Sequence, residues 1–337
     1  MPHYRARQRA VRIVAIAVLA LVLAPGTWLR SAHPESDLQP LLAVTPLELP
    51  RTKAGPDATA VAAWELSSED THFGGYSALL VQGEGDAPAF FAASDRGRYL
   101  RFDLDGGAPA FGTIAGSVAN TKDAIDMEAV TSDRATGRLW FAYEGRNLIE
   151  RRNASLGDAV RVRPSVMEHW GENSGPEAMV RLADGRFIVL SEGPRATYGT
   201  EHAALLFAGD PVESPKVAAF TFTPPSGYRP VDMAQLPDGR VLILVRRFIL
   251  ALPPRFETRV LLADPQDIVA GGTWTGRAIA SIAPPIPSDN YEGIDVVARA
   301  AGGADIWLIA DDNFATFQRT LLLRLSWQPH GAIAAPR

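Results

Sequence analysis

Short apolar runs separated by glycine-containing turns make up most of the chain. In the recurring unit, a small or acidic residue opens an apolar strand, a turn follows, and a second apolar strand ends in a charged residue. The turns at 183–186 and 237–240 place Asp-Gly between two apolar runs, which is a strong signal for a β-hairpin. The pattern therefore predicts a series of β-hairpins, with helical periodicity nearly absent after the N-terminal segment.

The unit occurs five times. Its first strand opens at residues that are 51, 49, 55 and 60 positions apart, namely Ser77, Glu128, Glu177, Asp232 and Glu292. Its second strand ends at Asp95, Glu144, Glu192, Arg246 and Asp311. Each interval has room for four short strands and their turns, which is the size of a β-propeller blade.

This repeat predicts an all-β fold, a β-propeller with five blades, and a count of six blades is the alternative. The last copy has one strand too few. We therefore expect an N-terminal strand from residues 60–66 to complete its sheet and close the ring. A β-sandwich whose hairpins resemble one another by chance would also produce such runs, but the regular spacing argues against it.

The first residues have the composition of a targeting sequence. Four arginines between positions 5 and 12 precede an apolar run at 13–23. That run is shorter than the roughly 20 residues of a membrane span, which favours a signal peptide over an uncleaved N-terminal anchor in the inner membrane. We predict that residues 1–32 are this segment, 33–59 a linker and 60–330 a single propeller domain, in the periplasm or secreted.

Composition narrows the possible partners. The chain has 337 residues and no cysteine, which excludes disulfides, thiolate chemistry and a lipoprotein anchor. It has 33 basic and 38 acidic residues; without the five arginines of the first 32 residues, 33 − 5 = 28 basic residues remain, a net charge of about −10. Such an acidic surface argues against nucleic acid and against membrane insertion after signal removal. It fits a monomer that binds a small substrate or ligand, including a phosphorylated one, or a cation.

Both recurring charged positions are expected at one rim of the propeller. The first strand of each blade lines the channel and the second returns antiparallel, so the start of one and the end of the other share a face. Crowded carboxylates there must be protonated, paired with arginine or bound to a cation. Calcium suits such a site because it accepts about six to eight oxygen ligands in flexible geometry. No organic cofactor is expected.

An ordered set of short motifs resembles the phytase-like family of exported bacterial proteins, described as esterase-like activity of phytase. The set comprises Phe-Gly-Gly-Tyr-Ser-Ala-Leu at 73–79, Ser-Asp-Arg-Gly at 94–97, Asp-Met-Glu-Ala at 126–129, Gly-Pro-Glu-Ala at 175–178, Ser-Glu-Gly at 191–193, Asn-Tyr-Glu-Gly at 290–293, Asp-Asp-Asn-Phe at 311–314 and Gln-Arg-Thr-Leu-Leu at 318–322. The resemblance implies a propeller, export and hydrolysis of phosphate or other esters. The chain departs from the family at Ala78, Ala129 and Ala178, where glycine is common.

On this resemblance the first hypothesis is a calcium-assisted phosphoesterase or esterase. The predicted metal ligands are Asp95, Glu192, Asp311, Asp312 and Asn313. The predicted catalytic residues are Glu128, Glu177, Glu292, Arg96 and Arg246. The predicted substrate-binding residues are Lys122, Arg146 and Arg247. Arginine or metal is required because a ring of carboxylates alone would repel a phosphate.

Two further hypotheses remain open. In a non-catalytic periplasmic binding propeller, the acids would accept backbone N–H bonds from the next blade and lock the ring. In a lactonase-like calcium propeller, Glu, Asp and Asn ligands would hold calcium in the channel, and Asn313 would be one of them.

Overall fold

The computed structural model describes residues 12–21, 41–83, 88–114, 125–171, 174–194, 199–251, 255–300, 302–315 and 317–329. Residues 12–21 are helical. Within the described ranges, no helix has both the length and the apolar character that crossing a membrane requires. Strands account for most of the remaining structure and form five sheets.

The strands follow one another in chain order with few interruptions. Three strands precede the first blade: β1 (Ala43–Pro46), β2 (Thr52–Lys53) and β3 (Ala58–Ser67). The first blade contains β4 (Tyr76–Gln82), β5 (Ala89–Ser94), β6 (Arg98–Asp103) and β7 (Ala110–Thr113). The second contains β8 (Met127–Asp133), β9 (Arg138–Tyr143), β10 (Leu148–Arg152) and β11 (Val160–Val162).

The later blades repeat this order with additions. The third contains β12 (Pro176–Arg181), β13 (Phe187–Pro194), β14 (His202–Phe207) and β15 (Val217–Phe222). The fourth contains β16 (Arg229–Gln235), β17 (Val241–Ile249), β18 (Arg255–Ala263) and, after β19 (Thr273–Trp274), β20 (Arg277–Ile282). The fifth contains β21 (Asn290–Ala298), β22 (Ala304–Asp311) and β23 (Thr320–Trp327). Three short 3-10 helices lie at Ser165–Met167, Pro211–Glu213 and Pro265–Asp267.

The first strands of the blades form a ring. Each contacts the first strand of the next blade in the order β4, β8, β12, β16, β21, and β21 contacts β4. The predicted five-bladed propeller is thereby confirmed. Between neighbouring blades lie five clusters of buried apolar side chains, such as the one that joins Phe91 of the first blade to Phe141 of the second. Burial of these faces supplies the main stabilising free energy of a fold without disulfides.

The predicted hairpin turns have the expected local chemistry. Gly185 and Gly239 both have φ of +90°, a conformation that L side chains rarely adopt, in the two Asp-Gly turns. The preceding Asp184 and Asp238 each accept the N–H of the residue two positions on, at 3.0 Å. These side chains close the turns and join the first and second strands of the third and fourth blades.

The fifth sheet is completed from the N-terminal side. β3 pairs antiparallel with β23, in a register from Thr320↔Leu66 to Trp327↔Ala58. β1 and β2 pair with β3 in turn, so the described part of the segment predicted as a linker contributes strands to this sheet. Its apolar residues explain this, because Leu47 and Leu49 pack against the core between the fourth and fifth blades.

A second addition ties two blades together. The connection from β18 to β20 crosses to the third blade, where β19 pairs parallel with β15. Trp274 of β19 is buried against Phe220 and Phe222, and its indole N–H donates to the Asp264 carbonyl at 2.8 Å. The strand therefore binds the fourth blade to the third through both backbone and apolar contacts.

Every first strand carries a β-bulge near its start. The register with the second strand skips one residue in each blade: Ser77, Glu128, Glu177, Val231 and Glu292. The fourth residue of this series is Val231, so the sequence-based placement of Asp232 in the series was wrong by one position. The spacing of repeats does not reveal a bulge, because the extra residue is visible only in the pairing.

Asp232 has a structural role instead. It is fully buried and accepts the N–H of Met233 and, across the blade boundary, the N–H of Ile294, each at 2.8 Å. Burial raises its pKa well above the usual range, although both hydrogen bonds favour the ionised form. This carboxyl group locks the fourth blade to the fifth, as the ring-locking alternative anticipated for the acids in general.

Replacing this buried acceptor should destabilise the ring. In Asp232→Ala, two buried N–H groups lose their acceptor, and we expect the free energy of unfolding to fall by about 2–4 kcal/mol. Urea denaturation of the variant and the wild type measures the difference. Asp267→Ala, which removes the side chain of an exposed aspartate, is the matched control and should cost less than about 1 kcal/mol. Equal effects of the two substitutions would contradict the locking role.

Candidate functional site

The charged positions of the repeat meet at one mouth of the channel. In the first two blades, the residue after the second strand donates its backbone N–H to the residue before the first strand. Asp95 donates its N–H to the Gly75 carbonyl at 3.0 Å, and Glu144 donates to the Asp126 carbonyl at 2.8 Å. Backbone pairing thus places Asp95 beside the start of β4 and Glu144 beside the start of β8, at the same rim.

We call the resulting group of side chains the rim cluster. It contains Arg246 of the fourth blade and Asn290 of the fifth. It also contains carboxylates of the first, second, third and fifth blades, namely Asp95, Asp126, Glu128, Glu144, Glu177, Glu192, Glu292 and Asp311. All of these side chains are buried except Glu192 and Arg246, which are partly exposed. The cluster therefore concentrates negative charge in a poorly solvated place.

The densest part of the rim cluster belongs to the second blade. Asp126, Glu128 and Glu144 each offer a carboxylate oxygen, and these oxygens lie within 4.8 Å of one another. Burial, together with the charges of Asp126 and Glu192, raises the pKa of Glu144 from 4.5 to about 8. A set of three buried oxygen donors whose mutual repulsion is this strong fits a hard divalent cation such as calcium.

Two further acids share this excess of negative charge. Burial and the neighbouring charges of Glu192 and Glu144 raise the pKa of Glu177 well above its usual range, despite the opposing effect of Arg246. Burial and the charge of Glu292 likewise raise the pKa of Asp311. Protons therefore compensate part of the negative charge at neutral pH, and a bound cation would take over that compensation.

Among the residues that the structure describes, Arg246 is the cation on which Glu128, Glu177, Glu192 and Glu292 of the rim cluster act. Its Nη1 donates to Glu292 and to the Asn290 side-chain oxygen, while Asn290 donates its amide N–H to the same glutamate at 2.6 Å. Its Nη2 lies 3.9 Å from Glu177 and 3.8 Å from Glu192. Burial alone would lower the pKa of this guanidinium, but the carboxylates, Glu292 foremost, raise it above its ordinary value. The side chain is therefore always charged.

The two aspartates of the Asp-Asp-Asn-Phe motif at 311–314 have different contacts. Asp311 lies in the rim cluster and accepts the N–H of Asn313 at 2.7 Å. Asp312 instead accepts the N–H groups of Gly75 and Phe314, at 3.1 and 3.0 Å, which connects this loop to the start of β4. These bonds give Asp312 a structural function, and its assignment as a metal ligand stays a prediction. Asn313 is exposed beside the cluster.

Phe314 also organises the first blade at the rim. The Arg96 guanidinium stacks on its ring, with 3.6 Å between the guanidinium carbon and the ring centroid. Gly75 has φ of +69°, and a Cβ there would lie 2.5 Å from the Phe314 ring and 2.9 Å from Asp95. Only glycine suits this position.

The three predicted substrate-binding residues have different locations. Arg247 forms an ion pair with Glu257 and lies over the Tyr228 ring at 5.0 Å, because consecutive residues of β17 point to opposite faces. It is therefore directed away from Arg246. Arg146 is exposed in the turn after β9, two residues beyond Glu144. Lys122 lies outside the described residues.

Two members of the rim cluster were missed by sequence reasoning. Asp126 stands immediately before β8 and Asn290 is the first residue of β21, two residues before Glu128 and Glu292 respectively. The shared spacing, Asp-x-Glu in one blade and Asn-x-Glu in another, is a signal that could have identified both.

Comparisons with known proteins agree with the sequence motifs. A family model described as Phytase-like, esterase-like activity of phytase, matches residues 71–314. No curated protein matches the sequence.

Several solved structures align over most of the chain at low identity. The α-L-arabinofuranosidase PaAbf62A from Podospora anserina, in complex with cellotriose, has 11% identity and a TM-score of 0.46 over 86% of this chain and 98% of that chain. The PQQ-bound aldose sugar dehydrogenase from Streptomyces coelicolor has 12% identity and a TM-score of 0.44, over 86% and 99%. The nidogen/laminin complex has 8% identity and a TM-score of 0.43, over 87% and 95%. Similarity at this level of identity and TM-score does not indicate a reaction for this chain.

The raised pKa values predict how pH affects stability without metal. An unfolded glutamate titrates near 4.5 and the folded Glu144 near 8, so between these values the folded state holds more protons. In EDTA, the free energy of unfolding should therefore fall as pH rises from about 5 to 8, by up to about 1.4 kcal/mol per pH unit for each such group. Urea denaturation in EDTA at several pH values measures this slope.

Glu144→Gln should make that slope shallower, because the amide cannot titrate. Glu213→Gln alters an exposed glutamate away from the rim and should leave the slope unchanged. A metal-free wild-type protein that becomes more stable over the same rise in pH would refute the electrostatic description of the cluster.

Proposed function

The chain belongs to the Phytase-like family, described by esterase-like activity of phytase, and on this premise we propose that it is an exported hydrolase of phosphate or other esters. The reaction would take place at the rim cluster with the help of a calcium-type cation. The proposal depends above all on one observation, the convergence of Asp126, Glu128 and Glu144 within 4.8 Å in a buried setting.

Asp126, Glu128 and Glu144 would hold the cation, and Glu192, whose charge acts on Glu144, is their neighbour in the cluster. Asp95 and Asp311, which act on each other, remain further candidate ligands. When bound, such a cation stabilises the negative charge that develops on the oxygens of an ester during hydrolysis. It would also reverse the electrostatic repulsion between the carboxylates and an anionic substrate. Asp312 is left out of this set because its contacts are to backbone N–H groups.

Arg246 would bind and orient the substrate. Its Nη1 is fixed by Glu292 and Asn290, whereas the carboxylate oxygens near Nη2 lie 3.8 and 3.9 Å away, beyond hydrogen-bond distance. Nη2 is thus available to donate to a phosphoryl or carbonyl oxygen. Glu292 and Asn290 would act as positioning residues that keep the guanidinium in one orientation.

Export is the remaining part of the proposal. The basic and then apolar composition of the first 23 residues supports a signal peptide, and the absence of cysteine suits a fold held together by packing alone. The mature protein would act on small molecules as a monomer.

Calcium binding and hydrolysis provide the direct test. Calcium should raise the melting temperature of the EDTA-treated protein by mass action, and the calcium-loaded protein should hydrolyse phosphate monoesters. Glu128→Gln should weaken the calcium response at least about 10-fold and lower kcat/KM at least about 100-fold, because it removes a buried ligand. The exposed Glu213→Gln is the control and should match the wild type in both measurements.

The outcomes separate the competing functions. Calcium binding without turnover of phosphate esters, other esters or lactones would favour the non-catalytic binding propeller. Turnover of lactones alone would favour the lactonase-like hypothesis. A melting temperature that ignores both EDTA and calcium would refute the cation site.

The arginine at the cluster centre can be tested against its neighbour in sequence. Arg246→Lys keeps the charge but loses the planar fork that bonds Glu292 and Asn290, so we expect kcat/KM to fall at least about 10-fold with calcium affinity changed less than about threefold. Arg247→Lys should stay within about twofold of the wild type, because Arg247 pairs with Glu257 on the other face of β17. Equal losses in the two variants would contradict the assigned orientation.

A further inference from the structure

The second hairpin of the fourth blade extends past the rim. In the first, second and fifth blades, the second strand ends at the charged rim residue or one position before it, whereas β17 continues for three residues beyond Arg246. Its pairing with β18 continues through Phe248↔Phe256 to Ile249↔Arg255. The fourth blade therefore carries an extension that stands next to the rim cluster.

Two phenylalanines lie on the same face of this extension as Arg246. Phe248 is two residues beyond Arg246 along β17, and Phe256 is its partner on β18. The two rings meet edge to face with centroids 5.6 Å apart, and the Arg246 guanidinium lies 5.8 Å from the Phe256 ring. Phe248 nevertheless remains 54% exposed. An aromatic surface thus continues directly from the central cation of the cluster.

A cleft of about 490 Å³ is lined by this aromatic pair together with charged side chains. Its lining includes Glu192, Arg229, Arg246, Phe248, Phe256 and Asn313. Glu192 and Arg246 belong to the rim cluster, so the cleft opens onto it. Arg229 is 53% exposed and lies 3.3 Å from Glu192, which leaves it accessible to a ligand.

The cleft is lined by both aromatic and cationic side chains, which together suit a ligand with an apolar end and an anionic end. Exposed aromatic faces gain most from a flat apolar partner, whereas the arginines attract an anionic group. We propose that this cleft is a subsite for the aromatic part of the substrate, so that the preferred substrates are aryl phosphates rather than phosphates of small polar alcohols. The inference rests on the proposed function, because it assumes that the phosphate itself is bound at the rim cluster.

Two phosphonates that cannot be hydrolysed test the subsite by binding alone. Isothermal titration of the calcium-loaded protein should give a dissociation constant for phenylphosphonate at least about 10-fold below that for methylphosphonate. Phe248→Ala and Phe256→Ala should each reduce this preference at least about threefold. Phe256→Leu is a smaller change in a partly buried side chain and should reduce the preference less. It keeps the test interpretable if the alanine variant misfolds.

Leu250→Ala provides the matched control. Leu250 lies on the same extension and is 89% exposed, but it does not line the cleft, so the variant should keep the full preference for phenylphosphonate. Equal affinities for the two phosphonates, no binding of either, or a preference that neither phenylalanine variant changes would overturn the subsite.

Hydrolysis of phenyl phosphate is measured separately, so the two proposals can fail independently. A preference for phenylphosphonate that depends on Phe248, without hydrolysis of any ester, would support the subsite and contradict the proposed function. Hydrolysis of phosphate esters together with equal affinity for the two phosphonates would support the proposed function and contradict the subsite.

Discussion

The location of the site depends on one irregularity in hydrogen bonding that is repeated in all five blades. Each first strand holds one more residue than its partner near the rim, and the extra residue is Ser77, Glu128, Glu177, Val231 or Glu292. A β-bulge bends the strand and re-aims a side chain. Three of the five positions carry glutamate, and the bulge brings these acids together with the residues that end the second strands.

Charge balance is the consequence of this geometry. Carboxylates of the second, third and fifth blades act on Arg246, and the burial that makes their repulsion strong also strengthens their attraction to the guanidinium. A ring of the same residues in open solvent would gain little from a cation, because water would screen it. The propeller therefore provides the low-dielectric setting, and the repeat provides the number of donors that a hard cation needs.

Sequence reasoning predicted the fold well because its signal was periodic. Alternating apolar runs, Asp-Gly turns and a spacing of about fifty residues all follow from the blade itself. The rim was also predicted, since antiparallel pairing places the start of one strand beside the end of the next.

Sequence reasoning was incomplete where the local strand register or the direction of a side chain determines whether a residue reaches the site. Asp232 was assigned in place of Val231 because counting residues does not detect a bulge. The pairing of Arg247 with Glu257, on the opposite face of β17 from Arg246, was likewise not visible in the sequence. Asp312 looks like a ligand in the sequence, and only its contacts with Gly75 and Phe314 identify its structural function. Asp126 and Asn290 were missed because the repeat was aligned on Glu128 and Glu292, and the polar residue two positions earlier was not compared between blades.

The pairing of β3 with β23 has a consequence for how the molecule acquires this site. These strands come from opposite ends of the propeller sequence, so their hydrogen bonds form only after most of the chain is available. Contacts of such high sequence separation slow folding, since the entropy of closing a long loop is lost before the contacts compensate for it. Arg246 depends on Glu292 and Asn290 of the same last blade for its orientation. A nascent or truncated chain without the fifth blade would form most of its sheets but not the complete rim cluster. Completion of the ring would therefore be the folding step that makes the site competent.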